Sequence, residues 1–358
     1  MIFLAVVLLP WAVNRVTAGN RRIVIHPPVL AASGSSDPAQ TDATPSPTAD
    51  RGPALRLLLW NIAHGRGLSD DNHTGESLAE RMDRHDAIAA VIRDKRPDIV
   101  ILNEVDFDVP WSHGVDHAHV LADATGLPHR ATQTNFDVQI VHQTYRWGNA
   151  VLSRWPITAA RDVPIPGFAT WESLLAGQKR AALHELDTPD GPLMLLATHL
   201  SPQSEALRAR SAEALVEFDA PAPFILAGDL NAAAPGSPGA QITDDGRNAI
   251  RVLQASGSFT IPPDPPATYP ARSPTRTIDW ILPPAGWSIE STEAFDTTLS
   301  DHLPVLMLCR PPGPVDEAPH STDGLVGSGS TADNRDDADD ADNTDNADTS
   351  PPPNGSPP

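Results

Sequence analysis

Short apolar runs of four to six residues recur through the middle of this 358-residue chain, and they limit its fold more than any other feature. Such runs are shorter than typical helices, and Gly, Pro, Asn and Asp near their ends are typical of strands. The runs cover residues 55–60, 99–102, 150–153, 181–186, 193–197, 224–227, 278–282 and 305–309. Apolar residues near helical spacing over 78–94 and 204–218 predict two helices between them. Many strands with few helices predict an α/β or α+β domain built in layers.

Composition divides the rest of the chain into flanking segments. Residues 1–22 contain an apolar stretch at positions 2–13 and predict a signal peptide or a short membrane anchor, although no basic residue precedes the stretch. Residues 23–54 predict a disordered linker, and residues 311–358 predict an acidic, disordered tail rich in Pro, Asp and Ser. The folded domain is therefore expected over residues 55–310.

Charge and cysteine content exclude several classes of protein and site. The formal net charge is −21, of which the tail carries −10 and residues 55–310 carry −12, so a broad basic surface for nucleic acid is absent. The single cysteine, Cys309, excludes an intramolecular disulfide and a cysteine-rich metal site. Neither a GxxxxGK(S/T) nor a GxGxxG motif is present, so a nucleotide cofactor is unsupported. A nucleophilic Ser or Cys elbow is also absent, which argues against a covalent acyl mechanism.

The segment PFILAGDLN at residues 223–231 places an acid and an amide directly after a predicted buried strand. Because positions i and i+2 of an extended chain point the same way, Asp229 and Asn231 would leave the strand side by side. A carboxylate next to a carboxamide can hold a water molecule or a metal ion against a charged oxygen. The same residues could also form an ordinary turn.

Polar side chains occur at the ends of most other predicted strands, and an acid lies within one of them. These residues are Asn61, Glu104, His199, Asp279, Asp301 and His302. Oxygen ligands from Glu104, Asp301 and the Asn61 amide suit Mg²⁺ or Mn²⁺ better than zinc. The two histidines and the remaining acids can transfer and orient protons. Each of them taken alone could instead be a turn or cap residue.

Several further polar residues have two open interpretations. Arg66 and Arg180 could contact an anionic substrate or could be ordinary surface arginines. His113, His117 and His119 could hold a second metal ion, but the stretch around them predicts a loop without a rigid helical face.

Seven segments, in this order, resemble motifs of the endonuclease/exonuclease/phosphatase superfamily. They are LLLWNIAHGRG, PDIVILNEVD, WGNAVLSRWPI, LLATHLSP, FILAGDLNA, TIDWIL and LSDHLPV. That superfamily includes pancreatic-type deoxyribonucleases, abasic-site endonucleases, neutral sphingomyelinases and inositol polyphosphate phosphatases. The first and third segments most resemble its bacterial branch of metal-dependent hydrolases. The resemblance covers nearly all of residues 55–310 and implies an α+β fold, a four-layer α/β/β/α sandwich of two packed mixed β-sheets flanked by helices.

The resemblance also implies a metal site and contacts to a phosphate ester. By the pattern of the superfamily, Glu104 binds Mg²⁺ or Mn²⁺, with Asn61 beside it and Asp301 in or next to the metal site. Asn103 replaces the Gln that precedes the metal-binding Glu in many members. Further substrate contacts are expected from Arg66, Asn149 and Arg180.

Five residues receive catalytic roles from the same resemblance. Asp229 orients or deprotonates the attacking water, Asn231 holds a phosphate oxygen, and His199 donates to the phosphate as charge develops. His302 acts as general base or phosphate contact, and Asp279 fixes its tautomer. How Asp229 and His302 divide the proton transfer stays open at this point.

These features predict an exported or membrane-associated, Mg²⁺-dependent or Mn²⁺-dependent phosphodiesterase. A phospholipid or small phosphodiester fits the acidic domain and the apolar N-terminal segment, through which the protein could associate with a membrane. A Mg²⁺-dependent endonuclease acting on DNA or RNA is the alternative, and a non-catalytic exported interaction protein on the same scaffold is a further one. The only partner implied is the phosphate-ester substrate, and a monomer is expected.

Overall fold

Two β-sheets form the centre of the fold in the computed structural model, which describes residues 23–29, 54–140, 142–167 and 178–313. The first sheet has seven strands in the order β1-β4-β5-β3-β2-β12-β11, and the second has five in the order β10-β9-β8-β7-β6. The strands are β1 (Ile23–His26), β2 (Leu55–Asn61), β3 (Ile99–Asp108), β4 (His129–Ile140), β5 (Gln143–Ser153), β6 (Ile157–Val163), β7 (Ala181–Thr188), β8 (Gly191–His199), β9 (Phe224–Asp229), β10 (Asp279–Leu282), β11 (Ser288–Ala294) and β12 (Val305–Arg310). Strands β2 and β3 are parallel, as are β8 and β9, whereas the other pairs are antiparallel. Both sheets are therefore mixed.

The continuous apolar run in β2 follows from burial on both faces of its sheet. Leu57 and Leu59 pack between the two sheets, whereas Leu58 and Trp60 pack on the opposite face beneath helices. Because side chains alternate along a strand, a strand covered on both faces needs apolar residues at successive positions. The same reasoning applies to β9, in which Ile225 and Leu226 belong to different cores.

Helices cover the outer face of each sheet. Helix α1 (Leu78–Lys95) and helix α2 (His117–Thr125) pack on the first sheet, and helix α3 (Glu205–Val216) and helix α4 (Ala249–Ala255) pack on the second. Helix α1 begins with a capping box in which Glu80 N donates to Ser77 Oγ at 3.3 Å and Ser77 N donates to Glu80 Oε2 at 2.7 Å. The order helix, sheet, sheet, helix confirms the predicted four-layer sandwich.

The sequence patterns do not predict four strands and two helices of the described residues, namely β1, β4, β6, β11, α2 and α4. Strands β6 and β11 are at sheet edges and carry many polar residues, and β4 buries Thr, Gln, Asn and Asp side chains rather than a continuous apolar run. The loop predicted around His117 is wrong, because His117 and His119 lie on α2, which Asp116 caps by accepting from His119 N at 3.0 Å.

The linker predicted over residues 23–54 is wrong at its start. Strand β1 pairs with β4 in an antiparallel ladder, so these backbone groups gain partners at a sheet edge. The predicted signal or anchor at 1–22, most of the predicted linker and nearly all of the predicted tail lie outside the described residues. No helix in the described ranges is long and apolar enough to cross a membrane.

Strand directions bring several chain segments to one edge of the sandwich. Asn61, at the carboxyl end of β2, is the register partner of Asn103 in the middle of β3, and His199 and Asp229 are partners at the ends of β8 and β9. Strand β10 runs antiparallel to β9 and begins with Asp279 opposite Asp229. Carboxyl ends of parallel strands are the usual position of sites in layered α/β folds.

Candidate active site

Asp229 lies at the centre of the converging strand ends. It is 1% exposed, and its Oδ2 accepts a hydrogen bond from Asn61 Nδ2 at 3.0 Å. Its backbone N donates to Asn103 Oδ1 at 2.8 Å, and its Oδ1 accepts from Asn231 N at 2.9 Å. Contacts from both sheets therefore fix the position and direction of this carboxylate.

The residue before Asp229, Gly228, must be a glycine because the neighbouring backbone lies very close to it. A Cβ atom at this position would lie 1.9 Å from the carbonyl oxygen of Thr198 on the neighbouring strand β8. Only glycine permits this close approach of the two backbones, which places Asp229 opposite His199.

His302 and Asp279 form a buried pair directly beside Asp229. His302 Nδ1 lies 2.8 Å from Asp279 Oδ2, and Nε2 lies 3.8 Å from Asp229 Oδ2. Trp60 Nε1 donates to the carbonyl oxygen of His302 at 3.0 Å and holds the loop that precedes β12. The predicted orienting contact between Asp279 and His302 is therefore present.

The pKa values of the central groups are strongly perturbed. Burial lowers the pKa of His302, but the carboxylates of Asp279 and Asp229 outweigh burial and raise it to about 10. Burial and the nearby Asp279 carboxylate raise the pKa of Asp229 to about 7. A protonated imidazole thus faces a carboxyl group that can exchange a proton near neutral pH.

His199 faces Asp229 from the other side and contacts a lysine. Its Nε2 lies 3.4 Å from Asp229 Oδ2, and Lys179 Nζ lies 2.8 Å from Nε2 and 3.0 Å from Nδ1. Burial and the Lys179 ammonium keep the pKa of His199 well below its ordinary value. The histidine is therefore neutral, and the positive charge on this side of the site belongs to Lys179.

Glu104 reaches the site through an irregularity in β3. Leu102 pairs with Ala150 and Val105 with Gly148, so two residues of β3 oppose Asn149 alone. Glu104 adopts a φ of 53° at this bulge, an unfavourable conformation for a residue with a side chain. We infer that the bulge turns the carboxylate toward the cleft.

A guanidinium lies between the two acids predicted to bind the metal. Arg66 Nη1 is 3.5 Å from Glu104 Oε2, and Arg66 Nη2 is 3.0 Å from Asp301 Oδ2. Burial raises the pKa of Glu104, but the cationic side chains around it, His64 and Lys179 foremost, outweigh burial and lower it well below the ordinary range. Glu104 is thus ionised, and both acids are in ion-pair contact with Arg66.

The predicted metal ligands fit a hard divalent cation by their chemistry. Glu104 and Asp301 supply carboxylate oxygens, and the Asn61 Oδ1 that accepts from Ala63 N at 3.0 Å has a second lone pair. The cationic group of Arg66 between the acids shows that this side of the cleft stabilises positive charge. We therefore assign Asn61, Glu104 and Asp301 as the candidate metal ligands.

Among the described residues, one other group of side chains places atoms that could bind a metal close to one another. Atoms of Asp229, Asp279 and His302 lie within 4.8 Å of one another. Nδ1 of His302 is already hydrogen-bonded to Asp279, and no cation is needed to explain that contact. We interpret this group as a proton-transfer group.

Three predicted substrate contacts do not line the cleft. Asn149 is 2% exposed and accepts from Asn103 Nδ2 at 2.9 Å, so it supports the bulge at Glu104 instead. Arg180 is 6% exposed, and its guanidinium contacts Gln178 and Asp162. Arg66 does not line the cleft itself but contacts Glu104 and Asp301, which do. Asn231 lines the cleft while its Nδ2 donates to the Leu200 carbonyl at 3.1 Å.

The sequence interpretation missed several residues at the site. Lys179, the neighbour of Arg180, carries the charge next to His199. Tyr269 and Arg276 line the cleft, with the Tyr269 ring 4.8 Å from that of His302 and the Arg276 guanidinium 4.6 Å from the Tyr269 ring. None of the three follows a predicted strand, which is the signal that found the other residues.

Two cavities meet at Glu104 and His199. The cleft over Asp229 and His302 has a volume of about 280 Å³, and the second has about 340 Å³. A larger cavity of about 820 Å³ lies elsewhere and is lined by residues such as Arg56, Trp155 and Trp287. It contains none of the predicted site residues.

The histidines considered for a second metal ion do not come together. His113 is exposed, and its Nε2 lies 2.9 Å from the carbonyl oxygen of Glu76. His117 is buried against His85, with ring centroids 4.1 Å apart. These side chains therefore do not form the second metal site that the sequence left open.

Comparison with known proteins gives one family match and several similar structures. The profile described as "Endonuclease/Exonuclease/phosphatase family" matches residues 58–302. An endonuclease/exonuclease/phosphatase from Beutenbergia cavernae is 26% identical, with a TM-score of 0.54, and the match covers 73% of this chain and 72% of that chain. No curated protein sequence gives a significant match.

Two further structures with lower identity show the same fold. A family protein from Leptotrichia buccalis is 17% identical with a TM-score of 0.51, over 72% of this chain and 100% of that chain. The corresponding structure from Bacteroides vulgatus is 15% identical with a TM-score of 0.52, over 72% of this chain and 99% of that chain.

Proposed function

This chain belongs to the endonuclease/exonuclease/phosphatase family, whose members are hydrolases acting on phosphoesters, and we propose that it is a divalent-metal-dependent phosphodiesterase. The observation that carries the proposal is the arrangement around Asp229. Its Oδ2 lies 3.0 Å from Asn61 Nδ2, 3.4 Å from His199 Nε2 and 3.8 Å from His302 Nε2. The Asp229 carboxylate thus faces the Asn61 amide, the neutral His199 and the protonated His302.

The metal ligands in this proposal are Asn61, Glu104 and Asp301. A divalent cation held there, Mg²⁺ or Mn²⁺, would supply positive charge against the phosphate oxygens. Glu104 suits this role because its carboxylate stays ionised throughout the physiological pH range. Arg66 would contact the phosphate or the ligands, since its guanidinium reaches both acids.

Asp229 and His302 divide the proton transfer. Asp229 accepts a proton from the attacking water, whose oxygen forms the new bond to phosphorus while the bond from phosphorus to the leaving oxygen breaks. His302 donates its Nε2 proton to that leaving oxygen, and Asp279 stabilises the protonated imidazole through Nδ1. The proton on Asp229 then returns to His302 over the 3.8 Å between them, which restores both groups.

Charge that develops on the other phosphate oxygens needs donors. His199 donates one N–H as a neutral imidazole, and the second Nδ2 proton of Asn231 remains for a phosphate oxygen. Lys179 adds positive charge on the His199 side.

The proposed substrate is a phospholipid or small phosphodiester. The net charge of −12 over residues 55–310 supports this choice, because a protein that contacts many nucleic-acid phosphates usually offers Lys and Arg side chains over a wide surface. Cleavage of plasmid DNA or of RNA in preference to these esters would replace the proposal with the endonuclease function.

The direct test is hydrolysis of a panel of phosphodiesters with Mg²⁺ or Mn²⁺. The panel contains bis(para-nitrophenyl) phosphate, phospholipid vesicles, plasmid DNA and RNA, each with and without EDTA. We expect EDTA, Asp229→Ala and His302→Ala each to abolish turnover, whereas the exposed controls Asp83→Ala and His119→Ala retain it. Activity that survives both active-site substitutions would show that this mechanism is wrong.

We also propose that the protein is exported or membrane-attached and monomeric. The apolar stretch at positions 2–13 supports export or attachment. Cell fractionation of the full chain and of a chain lacking residues 1–22 tests this proposal, since the shortened chain should remain in the cytosol. Equal distribution of the two chains would contradict it, and light scattering of the purified protein measures the oligomeric state.

A further inference from the structure

The second cavity at the active site has an unusual lining. We name it the indole cavity and define it by Asn72, Trp111, Asn135, Trp147, Lys179 and Gln203, together with Glu104 and His199, which it shares with the catalytic cleft. Its volume of about 340 Å³ is within the range of small-molecule sites. A group attached to a phosphate in the cleft can therefore extend into this cavity.

The two indoles form one wall rather than two sides of a slot. The ring centroids of Trp111 and Trp147 are 5.6 Å apart, and the ring planes are inclined by 50°. Trp147 is also stacked on Phe136 at 4.1 Å and 17°, which covers one of its faces. A planar base inserted between the indoles would need parallel rings further apart, so this wall favours a ligand that packs C–H groups against it from one side.

Polar groups lie around the same wall, and one of them has no partner in the described part of the chain. Asn135 is 5% exposed, and its Oδ1 accepts no hydrogen bond from the described residues. Asn72 and Gln203 add amide groups, and Lys179 adds an ammonium donor. A buried carbonyl oxygen without a donor is costly, so a ligand hydroxyl that donates to Asn135 Oδ1 would be bound selectively.

Other kinds of ligand fit these observations less well. An acyl chain would pack against the indoles but would leave Asn135 Oδ1 without a donor. A ring with hydroxyl groups around its edge and C–H groups on its face satisfies both the amides and the indoles.

We propose that the indole cavity binds a sugar ring carried by the phosphoester, so that the substrate of this enzyme is a sugar phosphoester. The proposal rests on the proposed function, because it places the phosphate of the sugar ester in the cleft at Asp229. It does not depend on which side of the phosphate carries the sugar.

Calorimetric binding with Mg²⁺ present tests the proposal without requiring turnover. The probes share one phosphate group and differ in the organic group: ethyl phosphate, glucose-6-phosphate, thymidine monophosphate and hexyl phosphate. We expect the glucose ester to bind about tenfold or more tightly than ethyl phosphate. Equal binding of these two probes, or tighter binding of the thymidine or hexyl ester, would overturn the proposal.

Variants then locate the selectivity. Asn135→Leu removes the unpartnered oxygen at similar volume, and Trp111→Ala removes part of the wall together with the hydrogen bond that Trp111 Nε1 donates to Asp106. Each should reduce the advantage of the glucose ester to about threefold or less. Trp287→Ala, the control at a tryptophan of the separate cavity of about 820 Å³, should bind the glucose ester with the same preference over ethyl phosphate as the wild type. Loss of this preference in Trp287→Ala alone would place the sugar outside the indole cavity.

Hydrolysis of bis(para-nitrophenyl) phosphate by the same preparation separates the two proposals. Hydrolysis without sugar-selective binding overturns the sugar proposal alone. Sugar-selective binding without hydrolysis of any ester overturns the proposed function and leaves the binding site in place. Absence of both overturns both.

Discussion

Replacing Asp279 by Asn should lower the pKa of His302 and slow catalysis above about pH 8. The pKa of His302 is raised from 6.5 to about 10, against the opposing effect of burial. This difference is equivalent to about 5 kcal/mol of preference for the protonated imidazole in the folded protein. Asp279 is the strongest of the contributions that raise the pKa, and it contacts His302 Nδ1 at 2.8 Å.

The substitution removes charge while preserving shape. The Asn side chain can still accept a hydrogen bond from Nδ1, so the ring should keep its position. We therefore expect the pKa of His302 to fall by about 2, or about 3 kcal/mol. A pKa near 8 leaves most of the imidazole protonated at pH 7, so kcat on a phosphodiester should change little there and should fall about tenfold at pH 9, where the wild-type imidazole is still protonated.

Titration of histidine side-chain signals by NMR measures the pKa directly in wild type and Asp279→Asn, with the exposed Asp83→Asn as control. Denaturation at several pH values adds a second readout. Because the folded pKa of His302 is raised, its stabilising effect is full below the unfolded value of 6.5 and is lost as the pH rises through about 10. A wild-type pKa near 6.5, or no fall in Asp279→Asn, would refute the charge argument.

Three other substitutions test how the fold supports the site. Asn103→Leu should lower the free energy of unfolding, measured in urea, by about 3 kcal/mol, because the Asn103 amide joins the two sheets and accepts from Asp229 N. A loss below about 1 kcal/mol would contradict this role. Burial lowers the pKa of His184 to about 4, so His184 should contribute a loss of stability as the pH falls from 6.5 toward 4. The stability difference between wild type and His184→Gln should therefore change over this range by up to about 3 kcal/mol, and a pH-independent difference would exclude the effect. Gly228→Ala should abolish activity and destabilise the protein, since the alanine Cβ would lie 1.9 Å from the carbonyl oxygen of Thr198. A variant with the melting temperature and activity of the wild type would contradict this contact.

Sequence patterns found the site residues that lie at the ends of buried strands. Asp229 and His199 follow apolar runs in the chain, and the parallel pairing of β8 and β9 makes them neighbours. The same reasoning chose the wrong member of the pair Lys179-Arg180, because both are basic and precede a strand. The fold decides between them: Lys179 contacts His199, whereas Arg180 contacts Gln178 and Asp162.

Other features depend on contacts between distant parts of the chain. Arg66 and Asp301 are 235 positions apart, and their ion pair follows only from the pairing of β2 with β12. The indole cavity likewise combines Trp111, which follows β3, with Trp147 in β5. Sequence spacing carries no information about which of several half-buried aromatic rings will meet.

The sequence by itself determined the layered fold and the chemical identity of the central site. Apolar runs located eight of the twelve strands in the described residues, because a strand that is covered on both faces by apolar cores is apolar at successive positions. The acids and histidines that interrupt or follow these runs are costly to bury without a partner. The tertiary structure decided the division of roles: Asp279 keeps His302 protonated, the bulge in β3 turns Glu104, and Asn103 and Asn149 support the site rather than bind substrate. Distances and desolvation set these roles, because the pKa and partner of a polar group depend on what the fold places within a few ångströms of it.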